Sequence, residues 1–335
     1  MTDGASSIGK RVATEAKAPA ARVSLGRWLL QNIVWLWLLG LIVIFGLFNP
    51  YFFTLNNMQN IMVQATVLGL LALGISLPLL VAEIDLSITA NMGFSSVIGA
   101  IAIGYGVPWW GGMLLGVGTG ALVGVFNGLC VTRLRMVSLI ETLAMMIILQ
   151  GALLAITEGN TISNMPDAYI WIGQATVATW PVMPLVAVAA MVAVAIMLRR
   201  TVLGRSIYAV GGNAAASAAA GIRVNRIKVI AFTLSGLLAG VAGYMLAAWQ
   251  IAITSNQGDG FMLYSIAAPI IGGVSVFGGR GSVLGVLGGV LLLTVIQAGL
   301  AVVSFPSFYV GMIGGLMIFV AVAIDAIRVR VSASR

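Results

Sequence analysis

About ten apolar runs, each roughly 20 residues long, divide this chain, and a run of that length calls for lipid as its solvent. In hydrocarbon a backbone must satisfy its own hydrogen bonds, so each open-ended run has to be a helix. The connections decide the orientation. All 17 Lys and Arg residues fall in five clusters: Lys10 to Arg27, Arg133 with Arg135, Arg199 to Lys228, Arg280, and Arg328 to Arg335. The connections near 49–57, 107–108, 158–180, 251–260 and 302–307 carry no basic residue. Placing every basic cluster on one side satisfies the positive-inside rule and puts both termini in the cytoplasm.

The expected spans are 28–48, 58–82, 84–106, 109–131, 137–157, 181–198, 229–250, 261–278, 283–303 and 308–327. They give an all-α integral membrane protein: one domain over 28–327, flanked by cytoplasmic tails at 1–27 and 328–335. Five runs before residue 160 and five after it have opposite senses, which is the hydropathy signature of an inverted repeat. The second and third runs leave almost no room for a turn. Pro78 and the polar stretch Glu83-Ile84-Asp85-Leu86-Ser87 predict a broken or re-entrant helix near 78–90 instead.

Composition closes off other classes. The chain is 60% hydrophobic and 8% charged, too little polarity to cover a soluble domain of this length. Its formal charge of +8 flanks the spans and forms no basic stripe with interleaved aromatics, so nucleic acid is not a partner. There is no His and one Cys, Cys130, which excludes an internal zinc site, a disulfide framework and histidine catalysis. The apolar run at Trp28–Phe48 is too long for a signal peptide and lacks a small-residue cleavage site, so it is an uncleaved anchor. Gly4-Ala5-Ser6-Ser7-Ile8-Gly9-Lys10 nearly spells a phosphate-binding loop. However, Arg11 stands where Ser or Thr would place magnesium, and no buried strand precedes it. Any energy for work comes from a partner or a gradient.

Glycine files recur at a spacing of four, above all Gly112, Gly116, Gly120, Gly124 and Gly128. They let helix backbones approach closely, either within one subunit or at a dimer or pore face. The largest basic loop, 199–228, holds a second pattern. Asn213 is a good N-cap, Ala214 to Ala220 are almost pure helix formers, and Gly221 is a natural stop. A two-turn helix is too short to stand alone in water. It makes sense on a membrane surface if a partner groove closes over its small side chains; the alternative is an ordinary surface helix.

The wording of that loop, Arg200-Thr201-x-x-Gly204-Arg205-x-Ile207-Tyr208-Ala209-Val210-Gly211-Gly212-Asn213 with Gly221-Ile222 beyond, closely resembles the cytoplasmic loop of ribose-type sugar ABC importer permeases. The resemblance continues through Ser235-Gly236-Leu237-Leu238-Ala239-Gly240, Ile266 to Ser275 and Gly278-Gly279-Arg280-Gly281-Ser282. Upstream, Ile84-Asp85-Leu86-Ser87 and Asn127-Gly128 match as well, so it covers about 50–325. It implies a permease subunit in a bacterial cytoplasmic membrane, paired with a second permease, with an external solute-binding protein and a cytoplasmic ATP-binding subunit. ATP and magnesium would sit on that subunit, and this chain would bind no cofactor. Thr201, Gly204, Arg205, Gly211, Gly212, Asn213, Ala216 and Gly221 would form the coupling element that docks in the ATPase. The family's usual Gly-Gly before Ile-Asp-Leu-Ser is Ala82-Glu83 here, and its Val-Gly-Ser after it is Ile88-Thr89-Ala90. These departures leave the solute open.

Glu83, Asp85 and Glu141 are acids in or beside spans, as gates and proton relays are; alternatively they sit at the interface near Arg133 and Arg135. Neutral polar residues in spans (Gln64, Asn91, Asn127, Gln150, Gln250 and Gln297) suit a sugar path or simply glue helices together. Asp85, Ser87, Asn91, Asn127 and Gln250 are the candidate gate or path residues. The reading is therefore a permease for a sugar or small polyol. Its rivals are a gradient-driven carrier using Glu83, Asp85 or Glu141, and an intramembrane enzyme, for which no convergent acid–base set exists.

Overall fold

The computed structural model describes residues 32–163, 165–303, 309, 311–313, 315–316 and 319. The tails 1–27 and 328–335, the Gly4–Lys10 stretch and most of the run 308–327 lie outside the described residues. Contacts divide the chain into Met1–Ile33 and Val34–Arg335; the second unit carries everything below.

The described chain is overwhelmingly helical. Helices α1 (Ile33–Phe48), α2 (Leu55–Leu80), α3 (Ile88–Gly104), α4 (Trp109–Arg133) and α5 (Ser138–Thr157) precede a short surface helix, α6 (Asp167–Gln174). After a hairpin of β1 (Thr176–Val177) and β2 (Trp180–Pro181) come α7 (Met183–Arg200), α8 (Val202–Gly212) and α9 (Ala214–Ala219). The chain then forms α10 (Val224–Gln250), α11 (Phe261–Ile271) and α12 (Val283–Val302). Six of these (α2, α4, α5, α7, α10 and α12) are long and apolar enough to cross a membrane, and α1, α3 and α11 are shorter apolar helices.

Burial sorts the helices. In α2, 89% of the apolar window is buried, against 22% in α5, so α2 is the central helix and α5 a peripheral one. That is why α2 is apolar all round. Its N-terminus is capped by Thr54, whose Oγ1 accepts from Asn57 N at 3.4 Å. The file of glycines in α4 is the main seam. A Cβ on Gly112 or Gly116 would lie 2.7 Å from Gly99 O or 2.8 Å from Ser95 O, both in α3. On Gly120, Gly124 or Gly128 it would strike the backbone of α10. Gly236 and Gly240 answer from α10 against Gly120 and Val117. The file therefore brings three helices of one subunit into backbone contact, where packing and not hydrophobic drive holds helices together.

The connections gather at two ends. Gly279 N donates to Leu80 O at 3.0 Å, Ile84 N to Ser138 Oγ at 3.3 Å, and Lys228 pairs with Glu83. These contacts join the connections after α2, α4, α9 and α11, in or beside which lie Arg133, Arg135, Arg223, Arg226 and Arg280; we call this the basic end. At the other end Ile162 bridges Ile253, Gln150 Nε2 donates to Asp259 Oδ1 at 3.3 Å and Gln59 Nε2 to Thr179 O at 2.5 Å. Here α6 packs on the tip of α10. Tyr169 is buried, stacks edge-on against Tyr244 with ring centroids 4.7 Å apart, and its carbonyl accepts from Tyr244 Oη at 3.0 Å. Trp171 and Trp180 are exposed.

Four helices end in the same way. Glycine in the left-handed region, closed by a paired hydrogen bond to the last turn, terminates α3 at Gly106, α9 at Gly221 and α11 at Gly273. Helix α2 closes with the same pair, Ala82 N to Leu79 O and Glu83 N to Pro78 O, both 3.0 Å. There the left-handed residue is Ala82, at φ +60°, where a Cβ is disfavoured. Pro78 lies in this last turn of α2, and the chain stays non-helical from 81 to 87 before α3 begins. The break expected near 78–90 is this segment.

Candidate functional site

Two neighbouring features at the basic end make the candidate site: the α8–α9 segment and the unwound stretch 81–87. Thr201 opens α8, accepting from Gly204 N at 3.1 Å and donating to Met197 O at 2.6 Å. Gly204 is buried, and a Cβ there would strike the backbone of Met197 and Leu198, so α8 folds sharply back on the end of α7. Arg205 is exposed. Asn213 then caps α9, its Oδ1 accepting from Ala216 N at 2.9 Å. Gly221, at φ +83°, closes α9 with Gly221 N to Ala218 O and Ile222 N to Ser217 O, both 3.0 Å. Ser217 is buried, whereas Ala214, Ala215, Ala216, Ala218 and Ala219 face outward. A helix too short to persist alone is held by its two caps and one anchored side chain, with a flat face of alanines left uncovered.

Helix α8 rests on the last turn of α2, immediately before the unwound stretch. A Cβ on Gly211 would run into Leu80 O and lie 2.5 Å from Gly279 N. One on Gly278 would come 2.8 Å from Gly211 O and 2.9 Å from Ala82 N. Gly212, by contrast, is exposed with open space around it. The turn at 275–280 is pinned by Ser275 N to Arg280 O at 2.9 Å, and Tyr208 Oη donates to Gly281 O at 3.0 Å. Burial raises the Tyr208 pKa, with Arg199 opposing it, so this hydroxyl stays a donor at neutral pH.

Within 81–87 the acids are held by specific partners. Glu83 forms an ion pair with Lys228 at the start of α10. Asp85 is buried; Oδ1 accepts from Ser87 N at 3.1 Å and Ser87 Oγ at 2.7 Å. Its Oδ2 accepts from Ser235 Oγ of α10 at 2.8 Å. The amide of Asn127 bridges onward, one end 2.8 Å from Ser87 Oγ and the other 3.3 Å from Glu141 Oε1. Thr142 Oγ1 accepts from Leu86 N at 3.1 Å. The stretch is thus tied to α4, α5 and α10 by hydroxyls, one amide and the Glu83–Lys228 ion pair. Every carboxylate oxygen of Asp85 is used, while Glu141 Oε2 has no hydrogen-bond partner among the described residues.

The remaining candidates separate. Asn91 is buried against the α4 seam, donating to Gly120 O at 3.0 Å and accepting from Ser95 Oγ at 3.0 Å. Gln250 is exposed at the far end of α10. Sequence reasoning gives no site role to Ser235, Thr142, Ser138 and Lys228, although Ser235 stands in the resemblance motif and Lys228 in the basic cluster, because each becomes significant only through a partner 54 to 150 positions away. Gly278 and Gly279 stand in the resemblance motif but carry no signal of what they pack against.

Residues 57–321 match a family described as branched-chain amino acid transport system / permease component. Among curated relatives, the ribose import permease protein RbsC of Escherichia coli (strain K12) is 34% identical over 302 residues, 89% of this chain and 94% of that protein. The autoinducer 2 import system permease protein LsrC of Klebsiella pneumoniae is 35% identical over 300 residues, 89% of this chain and 86% of that one. The L-arabinose ABC transporter permease protein AraH of Azospirillum brasilense is 33% identical over 319 residues, 94% and 93% of the two chains. No solved structure matches. These relatives support import by an ABC system and give no support to a gradient-driven carrier. With a family match over most of its length and relatives aligned nearly end to end, the chain belongs to this family of transport-system permease components.

Proposed function

We propose that this chain is the membrane subunit of a bacterial ATP-driven importer for a sugar or sugar-like solute. The basic end faces the cytoplasm, so both termini are cytoplasmic, and a tenth span over 308–327 completes a five-plus-five inverted repeat. The helical positions at 309, 311–313, 315–316 and 319 favour that tenth span. A separate ATP-binding subunit, carrying the ATP and magnesium, docks on α9; a solute-binding protein delivers from the opposite end. A second permease copy, or a close relative, completes the path within the lipid.

The observation that carries this is the outward alanine face of α9, fixed at both ends and continuous through Asn213 with α8. Docking on that face moves α8. Because Gly211 meets Leu80 backbone to backbone, little side-chain compliance absorbs the displacement before it reaches 81–87. There Asp85, Ser87 and Asn127 act as the gate fastening, with Asn91 holding the adjacent seam, and Gln250 lies at the mouth of the path. Rocking between two discrete arrangements is then the import step. The test is a mild-detergent pull-down of the C-terminally tagged chain with its partners identified by mass. We expect a co-purifying ATPase that Ala216→Asp removes while membrane insertion stays normal. A partner-free wild-type oligomer, or an unaffected complex in the mutant, would contradict the reading.

A further inference from the structure

One cavity lies apart from the coupling segment. It is ≈ 250 Å³ in volume and is lined by Gln64 of α2, Trp249 at the end of α10, Phe261 and Tyr264 of α11, and Thr294 and Gln297 of α12. These residues place it in the half of the bundle away from the basic end. Trp249, Phe261 and Tyr264 all sit at the termini of their helices next to the base-free 251–260 connection.

The lining has a consistent chemistry. Among the described residues its polar groups are all neutral: two amides, a phenol and a threonine hydroxyl. The Gln64 side chain makes no hydrogen bond to any described residue, and each amide presents a donor beside an acceptor. Gln297 and Tyr264 line the same cavity, so a second amide and a phenol hydroxyl share it. Thr294 spends its proton on Val290 O at 2.8 Å and leaves only acceptor lone pairs. A lining that combines two amides with three aromatic side chains matches a ring molecule that carries vicinal hydroxyls on its edges and C–H groups on its faces. The volume falls below the roughly 300–1,000 Å³ of drug-sized sites, which limits the occupant to about one monosaccharide.

We infer that this cavity is the first solute-receiving subsite of the path, built for a single neutral polyhydroxylated ring, with Gln64 and Gln297 as its polar contacts and Trp249 as its apolar wall. The inference rests on the import reading above and adds to it a place and a selecting chemistry. Asn91 and Asn127, whose amides are taken up by protein partners, then select nothing.

The experiment uses the complete transporter with its ATP-binding subunit and solute-binding protein in proteoliposomes, at equal amounts of assembled complex. The probes are radiolabelled D-ribose, L-arabinose, D-xylose and D-galactose. For the sugars that the wild type imports, Gln64→Leu and Gln297→Leu should each lower uptake at limiting sugar by roughly tenfold, the worth of about one hydrogen bond. The uptake ratio between the two best sugars should shift too, which a merely structural role would not produce. As a second measurement, Gln64→Cys in a Cys130→Ala background should react with a small neutral maleimide and be protected by saturating sugar. Wild-type concentration dependence and selectivity in both Leu variants, or labelling of Cys at position 64 that sugar does not slow, would overturn the subsite and leave the import reading standing. No ATP-driven uptake of any probe by the wild type would overturn both.

Discussion

Ala82 stands where α3, α9 and α11 of this chain each place a left-handed glycine. Left-handed backbone costs an L-residue roughly 1–2 kcal/mol, and glycine gives back about 0.4–1 kcal/mol of that through unfolded-chain entropy. Ala82→Gly is therefore expected to keep or slightly raise thermal stability, followed by a detergent melting curve; a fall of several degrees would show that the methyl group packs usefully. Asp85 makes a sharper case. Asp85→Ala strands the buried Ser235 hydroxyl and the Ser87 N–H, at about 1–3 kcal/mol each, and should destabilise strongly. Asp85→Asn keeps the acceptor for Ser87 and a partner for Ser235, so it should retain most stability and most uptake. If Asp85→Asn abolished uptake in a well-folded protein, the carboxylate would have a role beyond fastening.

At the scale of elements, the proposed coupling makes α8 and α9 one lever, seated on glycine at Gly211. Gly211→Ala drives a methyl group into two backbones, and overpacking of this kind costs about 1–3 kcal/mol. The expected outcome is uncoupling, with ATP hydrolysis persisting and sugar uptake lost, read by assaying both on one preparation. Asn213→Ala should remove about 1 kcal/mol of helix stability and weaken co-purification of the ATP-binding subunit without abolishing it. These elements are also where sequence reading reaches furthest. Asn213, the alanines and Gly221 write the short helix locally, since caps act over three or four residues. The break after Pro78 is equally legible, although its closing residue is not, because nothing local announces that Ala82 must take a positive φ. The seat of Gly211 on Leu80 and Gly279 is illegible for the opposite reason: it joins three distant segments through backbone atoms that every residue shares.

Across the whole molecule, the charge pattern foretells which connections meet. Among the described residues, the basic connections near 134–137, 220–223 and 272–282 meet at one end, with 81–87, and the base-free connections near 158–180 and 251–260 meet at the other, because hydrophobic runs of membrane length leave the chain no other place for them. Helix α2 runs between these ends through the centre, from the neighbourhood of the cavity at Gln64 to the seat of the lever at Leu80. A neutral cavity at one end, the proposed hydrogen-bonded gate at the other and the proposed docking face beyond it would form a sequence of parts suited to moving an uncharged solute on a partner's energy. The most direct measurement is uptake of labelled sugar into proteoliposomes holding the complete transporter, with ATP supplied and the proton gradient collapsed. Import that continues without the gradient and stops without ATP is the predicted result. Import that stops with the gradient and ignores ATP would contradict the account and return Glu83, Asp85 and Glu141 to the centre of the mechanism.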